Sequence, residues 1–251
     1  MRSRIRAYAG VQLADYFTGR GLIAVMLTAI AAWGYATMSG LTAFAFDATT
    51  GVEGRAQLQR AFDVMLAVFA LIAAALSAQN LVARHRRRGY DRVIFARALP
   101  PLRYYGQGFV VAGVGGVLLA VALAQVYAIA VHPVSVVGAA AYLGLAWLTI
   151  GGLAMLLSTL TWLHTPLLVL LVGADLALDR YATALRASSQ RNPVLDVAQY
   201  LLPPGHVLVS LSGSFARGVL VEPVTLAWPV AFGVACLVAT YVLLRRRPFG
   251  S

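Results

Sequence analysis

Lysine is missing from this chain of 251 residues, cysteine occurs once, and charged residues of both signs make up only 12% of it. Each scarcity excludes something. Without lysine there is no GxxxxGK[ST] loop to cradle a nucleotide phosphate, so ATP hydrolysis is not expected from this chain. A lone Cys236, set in an apolar run, rules out an intrachain disulfide and a cysteine metal site. A soluble domain carries about 25% charged residues to clothe its surface. Half that density means that most of the surface does not face water. No polar stretch is long enough for a separate soluble domain, and with none to present a groove, nucleic acid is not expected as a partner. His85, His132, His164 and His206 lie near different helix ends with no metal-ligand spacing, and the methionines do not cluster. No Ser/His or paired-carboxylate constellation suggests an enzyme, and no cofactor is expected in this chain. The first twenty residues are polar and aromatic, and the first apolar run is too long for an h-region. No cleavable signal peptide is therefore expected.

What the chain does have is long apolar runs. Crossing about 30 Å of hydrocarbon takes roughly 20 apolar residues in a helix. Four runs fit one crossing each: Gly21–Phe46, Phe62–Ala83, about Gly106–Val131 and about Leu226–Leu244. A fifth region, Val134–Leu178, carries no charge before Asp175. As one helix its 45 residues would measure about 67 Å, twice the bilayer, so two crossings joined by a tight turn are expected. Ser158–Pro166 is the candidate turn, with Thr165 as cap and Pro166 at the first helical position. The expected fold class is all-α. Residues 1–251 form a single polytopic membrane domain with six transmembrane helices, an N-terminal interfacial helix and a short outer helical hairpin before the last crossing.

All twenty basic residues are arginine, against nine acids, a formal charge of +11. Their placement orients the bundle, because arginines hold loops on the cytoplasmic side. With both termini on the cytoplasmic side of the cytoplasmic (inner) membrane, fourteen arginines lie inside and six outside (Arg55, Arg60, Arg180, Arg186, Arg191 and Arg217). A five-crossing arrangement gives fifteen and five, so charge places the N-terminus and length decides for six.

Two segments are too polar to cross. In 1–20, Ile5, Tyr8, Ala9, Leu13, Tyr16 and Phe17 recur at helical spacing between Arg2, Arg4, Arg6 and Arg20, which predicts an amphipathic helix lying in the cytoplasmic interface. In the outer loop 179–223, Asn192-Pro193 with Asp196 marks a helix start and Pro203-Pro204-Gly205 a break, which predicts two short helices dipping into the outer leaflet. Intramembrane polar groups point to a pathway. These are Gln79 and Asn80 at the end of the second crossing, Gln125 in the third and Asp175 in the fifth. For Asp175, with Asp179 one turn on, an outer-surface ion pair with Arg180 or Arg186 is the first expectation. Gly113-Val114-Gly115-Gly116 is expected to let helices pack closely.

The densest basic stretch is the loop 84–105, with seven arginines from Arg84 to Arg103. Neighbouring helices are joined by about 2–8 residues, so this loop is far longer than a connection requires. Gly89 permits a sharp exit, Asp91–Ala98 can form two helical turns carrying Val93, Ile94 and Phe95, and Pro100-Pro101 ends them. Tyr104-Tyr105 fall where an interfacial aromatic belt is expected.

This order of crossing, basic stretch, Gly89, short helix, Leu99-Pro100 and aromatic segment resembles the ABC-2 type permease, the membrane subunit of type V ABC transporters. The resemblance extends over nearly the whole chain. It implies that the loop is a coupling helix docked on a separate ATPase subunit, with Gly89, Tyr90, Asp91, Arg92, Phe95, Leu99 and Pro100 in that element. It also implies a dimer with a second copy or a homologous permease, moving cargo across the bilayer with export as the expected direction, and ATP and Mg bound by the partner ATPase. Many members carry acids just before the glycine, where this chain has Arg84, Arg86, Arg87 and Arg88. A structural or assembly subunit of a membrane complex is the other expectation, needing only the bundle and its basic anchors.

The orientation is directly testable. A fluorescent protein fused after Ser251 is expected to fluoresce and alkaline phosphatase at the same place to stay inactive; the reverse pattern puts the C-terminus on the other side.

Overall fold

The computed structural model describes residues 10–38, 52–78, 101–187 and 193–246. All the secondary structure among them is helical, as it must be for backbone polar groups in a medium that offers no hydrogen bonds. In chain order the helices are α1 (10–38), α2 (Val52–Ala78), α3 (Pro101–Ala130), α4 (Val136–Leu160), α5 (His164–Ala187), α6 (Pro193–Leu201), α7 (Gly205–Ala216) and α8 (Pro223–Arg246). Five of them, α1 to α4 and α8, are long and apolar enough to cross a membrane. The chain is a multi-pass membrane protein on that ground.

Five is one fewer than expected. The uncharged region does divide in two, at Thr161–Leu163, but its second half differs from the expectation. α5 has 24 residues, about 36 Å, but Asp175, Asp179, Arg180 and Arg186 make its second half more charged than the other five spans allow. The cap is also displaced. The helix starts at His164, and Thr161 Oγ1 accepts the Leu163 N–H at 3.1 Å, so Thr165 and Pro166 already lie inside the first turn.

The first helix departs further. Residues 10–20 are helical as expected, but they run straight into the crossing instead of turning into the interface. The junction is a π-helical turn, Phe17–Gly21, which absorbs an extra residue without ending the helix. Packing explains it. Tyr16 is buried against Gly115 and Gly116 of α3, and a Cβ at Gly115 would lie 2.5 Å from its ring. An aromatic expected at the lipid interface is thus built into the core. Tyr105 behaves the same way. It is fully buried near the start of α3, which opens at Pro101, a residue expected to end the preceding helix.

α4 is the centre of the bundle. Of its most apolar window 61% is buried, against 17–39% for the other four spans. It packs on α3, α5, α7 and α8, with Tyr142, Leu143 and Ile150 buried in the core. A second π-turn, Trp147–Gly151, interrupts it where it meets α8. There the helices approach backbone to backbone: a Cβ at Gly233 would lie 2.6 Å from the Leu148 carbonyl oxygen. Pro229 removes an N–H from α8 one turn earlier. The Thr149 hydroxyl, 2.8 Å from the Leu145 carbonyl oxygen and 3.1 Å from that of Pro229, shares its proton between the helices.

The two short helices exist where Pro193 and Pro203-Pro204-Gly205 place them, but α7 is not a surface element. It packs on α2, α4, α5 and α8, with Leu208, Leu211, Ser212 and Ala216 buried. Gly138 of α4 has no room for a side chain, because a Cβ would collide with the Phe215 carbonyl.

Two substitutions separate contact from composition. Gly233→Ala is expected to cost about 1–3 kcal/mol by forcing α4 and α8 apart. Gly144→Ala, where a Cβ meets nothing within 4 Å, is expected to be neutral or slightly stabilising. Melting midpoints of the purified variants check the contrast.

Candidate functional site

Polar contacts between helices meet at both ends of α7. Its N-terminus is the more telling end. A helix leaves its first four N–H groups unsatisfied, and a preceding serine, threonine, asparagine or aspartate normally takes one of them. Here the cap position is Pro204, which has no side-chain acceptor. The acceptor comes from another helix. Asp175 of α5 accepts the His206 backbone N–H on Oδ2 at 2.7 Å, and the His206 ring donates from Nδ1 to Oδ1, also at 2.7 Å. Gly205 makes the approach possible, since a Cβ there would lie 3.1 Å from Oδ2.

The electrostatics are concentrated. Asp175 is fully buried, and burying an unpaired carboxylate is prohibitively costly. The imidazole and the positive end of α7 compensate it. The His206 side chain keeps 21% exposure, so the dyad is sealed at the carboxylate and open at the ring. The hydrogen bond to Asp175 raises the His206 pKa above the usual histidine value. Burial opposes this, the charges of Asp175 and Asp179 assist it, and Arg186 works against it. One turn on from Asp175, Asp179 receives a long hydrogen bond, 3.4 Å, from buried Gln199 of α6.

The other end of α7 meets a second acid. Asp63 of α2 lies 3.7 Å from the Arg217 guanidinium and accepts a 3.0 Å hydrogen bond from Gln59. Gly218 turns the chain out at φ 70°, a left-handed conformation suited to glycine, and the Ser135 N–H donates to the Ala216 carbonyl at 2.8 Å. In the middle, the Tyr142 hydroxyl donates to the Leu208 carbonyl at 3.0 Å. α7 is therefore tied to α5, α4 and α2 in turn.

Of the residues proposed from sequence, only Asp175 belongs to this site, and in a different role. It is buried and bound to His206, in place of the outer-surface ion pair with Arg180 or Arg186 that the sequence suggests. Gln125 is exposed on α3. Gln79 and Asn80, together with Gly89, Tyr90, Asp91, Arg92, Phe95, Leu99 and Pro100, lie outside the described residues. Sequence reasoning missed His206, Gln199, Asp63 and Arg217. One signal was available: a Pro-Pro-Gly-His helix start with no capping side chain demands an acceptor from elsewhere, and few acids exist to supply it. Among the described residues no three His, Cys, Asp or Glu side chains converge as a metal site. No protein-family model, curated protein or solved structure matches the chain.

Asp175→Ala is expected to destabilise the bundle by on the order of 3 kcal/mol, because it strips both a helix-start N–H and the imidazole of their acceptor. Asp179→Ala, which loses one long hydrogen bond, is expected to cost less than about 1 kcal/mol. Thermal unfolding of the purified chain measures the difference.

Proposed function

We propose that this chain is the membrane-spanning permease subunit of an ABC transporter, working as a dimer and exporting its cargo across the cytoplasmic membrane. A separate ATPase subunit binds ATP and Mg and supplies the hydrolysis that a chain without lysine cannot perform. The observation that carries the reading is the arrangement of the last third of the chain. Two short helices intervene between α5 and the last apolar helix, and the second of them is folded back into the bundle. That order agrees with the permease resemblance, as does the lengthened basic loop 84–105.

In this reading α5 is the remaining crossing, both termini are cytoplasmic, and Gly89, Tyr90, Asp91, Arg92, Phe95, Leu99 and Pro100 grip the ATPase. Gln79, Asn80 and Gln125 contribute to the pathway. Gln125 is exposed on α3, as a half-pathway completed by a second copy requires. Asp175 is committed to His206 and serves the packing of α7. A cargo with lipid-like or amphipathic character fits a bundle with so few charges in its spans.

Affinity purification of the tagged chain from its native membranes is expected to bring down an ATPase. Phe95→Ala or Asp91→Ala is expected to lower transport-coupled ATP hydrolysis about tenfold, a usual size for coupling between sites, without lowering the amount in the membrane. A chain that brings down no ATPase, and whose Phe95→Ala variant keeps full activity, is a structural subunit instead.

A further inference from the structure

We propose that the contact between Asp175 and His206 is a proton-operated latch that fixes the buried helix α7 to α5. It stands whatever the bundle transports. Three observations carry it. The N-terminus of α7 has no cap of its own, and the Asp175 carboxylate holds it through two 2.7 Å hydrogen bonds. The carboxylate is fully buried while the ring keeps 21% exposure, so the imidazole is the open member of the pair, the one placed to exchange a proton. And α7 is a core element, packed on α2, α4, α5 and α8, so a change at its N-terminus is felt through the bundle.

Among the described residues the surrounding charges are few. α5 presents Asp175, Asp179 and Arg186 to the ring. α4 carries no charged residue over Val136–Leu160; its Tyr142 donates to the Leu208 carbonyl. On α2, Asp63 is engaged with Gln59 and with Arg217 at the far end of α7, and Arg60 lies beside it in sequence. α8 carries Cys236 and Tyr241, with Arg245 and Arg246 in its last turn. Histidine is the side chain whose ordinary pKa, about 6.5, lies in the physiological range.

The sign follows from the direction of the shift. Because the His206 pKa is raised on folding, its contribution is fully present below about pH 6.5 and is lost as pH rises through the higher folded value. The neutral ring still donates from Nδ1. What disappears is the charge opposite a carboxylate that water cannot reach.

The test uses the full chain in lipid nanodiscs, melted at a series of pH values from about 5 to about 9, a range that brackets histidine titration. His206→Asn keeps an N–H donor near the Nδ1 position and cannot titrate. The expected result is a wild-type midpoint several degrees above that of the variant at low pH, with the gap closing as pH rises. In a chain that already carries Asp175→Asn, adding His206→Asn is expected to produce no such pH-dependent gap. A constant gap at all pH values between wild type and His206→Asn, or one that widens as pH rises, overturns the latch. If Asp175→Asn does not fold, the comparison of wild type with His206→Asn decides alone.

Discussion

Backbone hydrogen bonding without water is the constraint on which this structure turns. Within hydrocarbon an unpaired N–H or C=O costs several kcal/mol, so the described chain is helix, and each place where a helix is interrupted needs a local remedy. The remedies are specific. Ser135 caps α4 with its own hydroxyl, at 3.0 Å from the Gly138 N–H. The π-turn of α4 is braced by Thr149 against the proline-interrupted α8. The start of α7 borrows a carboxylate from α5. These polar groups stand where the backbone ladder fails, while Thr28 and Thr240, inside regular helix, donate to the carbonyl one turn back.

Close packing is the second consequence. Apolar side chains gain little from leaving lipid for another apolar surface, so helices associate through near contact and shape. Gly115, Gly138, Gly152 and Gly233 mark such points, each facing an aromatic ring or a neighbouring carbonyl. Tyr16 and Trp147 fill the notches along α3, so large and small residues alternate across the interfaces. The central position of α4 follows from its own residues, since Gly138, Ala139 and Ala146 leave room for partners on several sides.

α7 joins these two themes. It is short, it is uncapped by its own sequence, and it lies between helices whose carboxylates reach it from both ends. The permease reading and the latch draw on different features of this region, the former on its order along the chain and the latter on one buried dyad.

Much was legible before any fold was known, and the reason is local. Hydrophobic run length, arginine scarcity in the runs, and the prolines at positions 193, 203 and 204 depend on neighbouring residues alone, so they marked the membrane class, most spans and both short helices. The small-residue stretch at Gly113–Gly116 likewise announced close packing. What only the tertiary structure decided was the partner of each polar or aromatic group. Tyr16 and Tyr105 went to the core and not to the lipid interface, α7 packed among four other helices, and Asp175 found a histidine 31 residues away rather than an arginine nearby. A side chain's chemistry states what it needs; which group meets that need depends on distances across the bundle, and these exist only once the helices have packed.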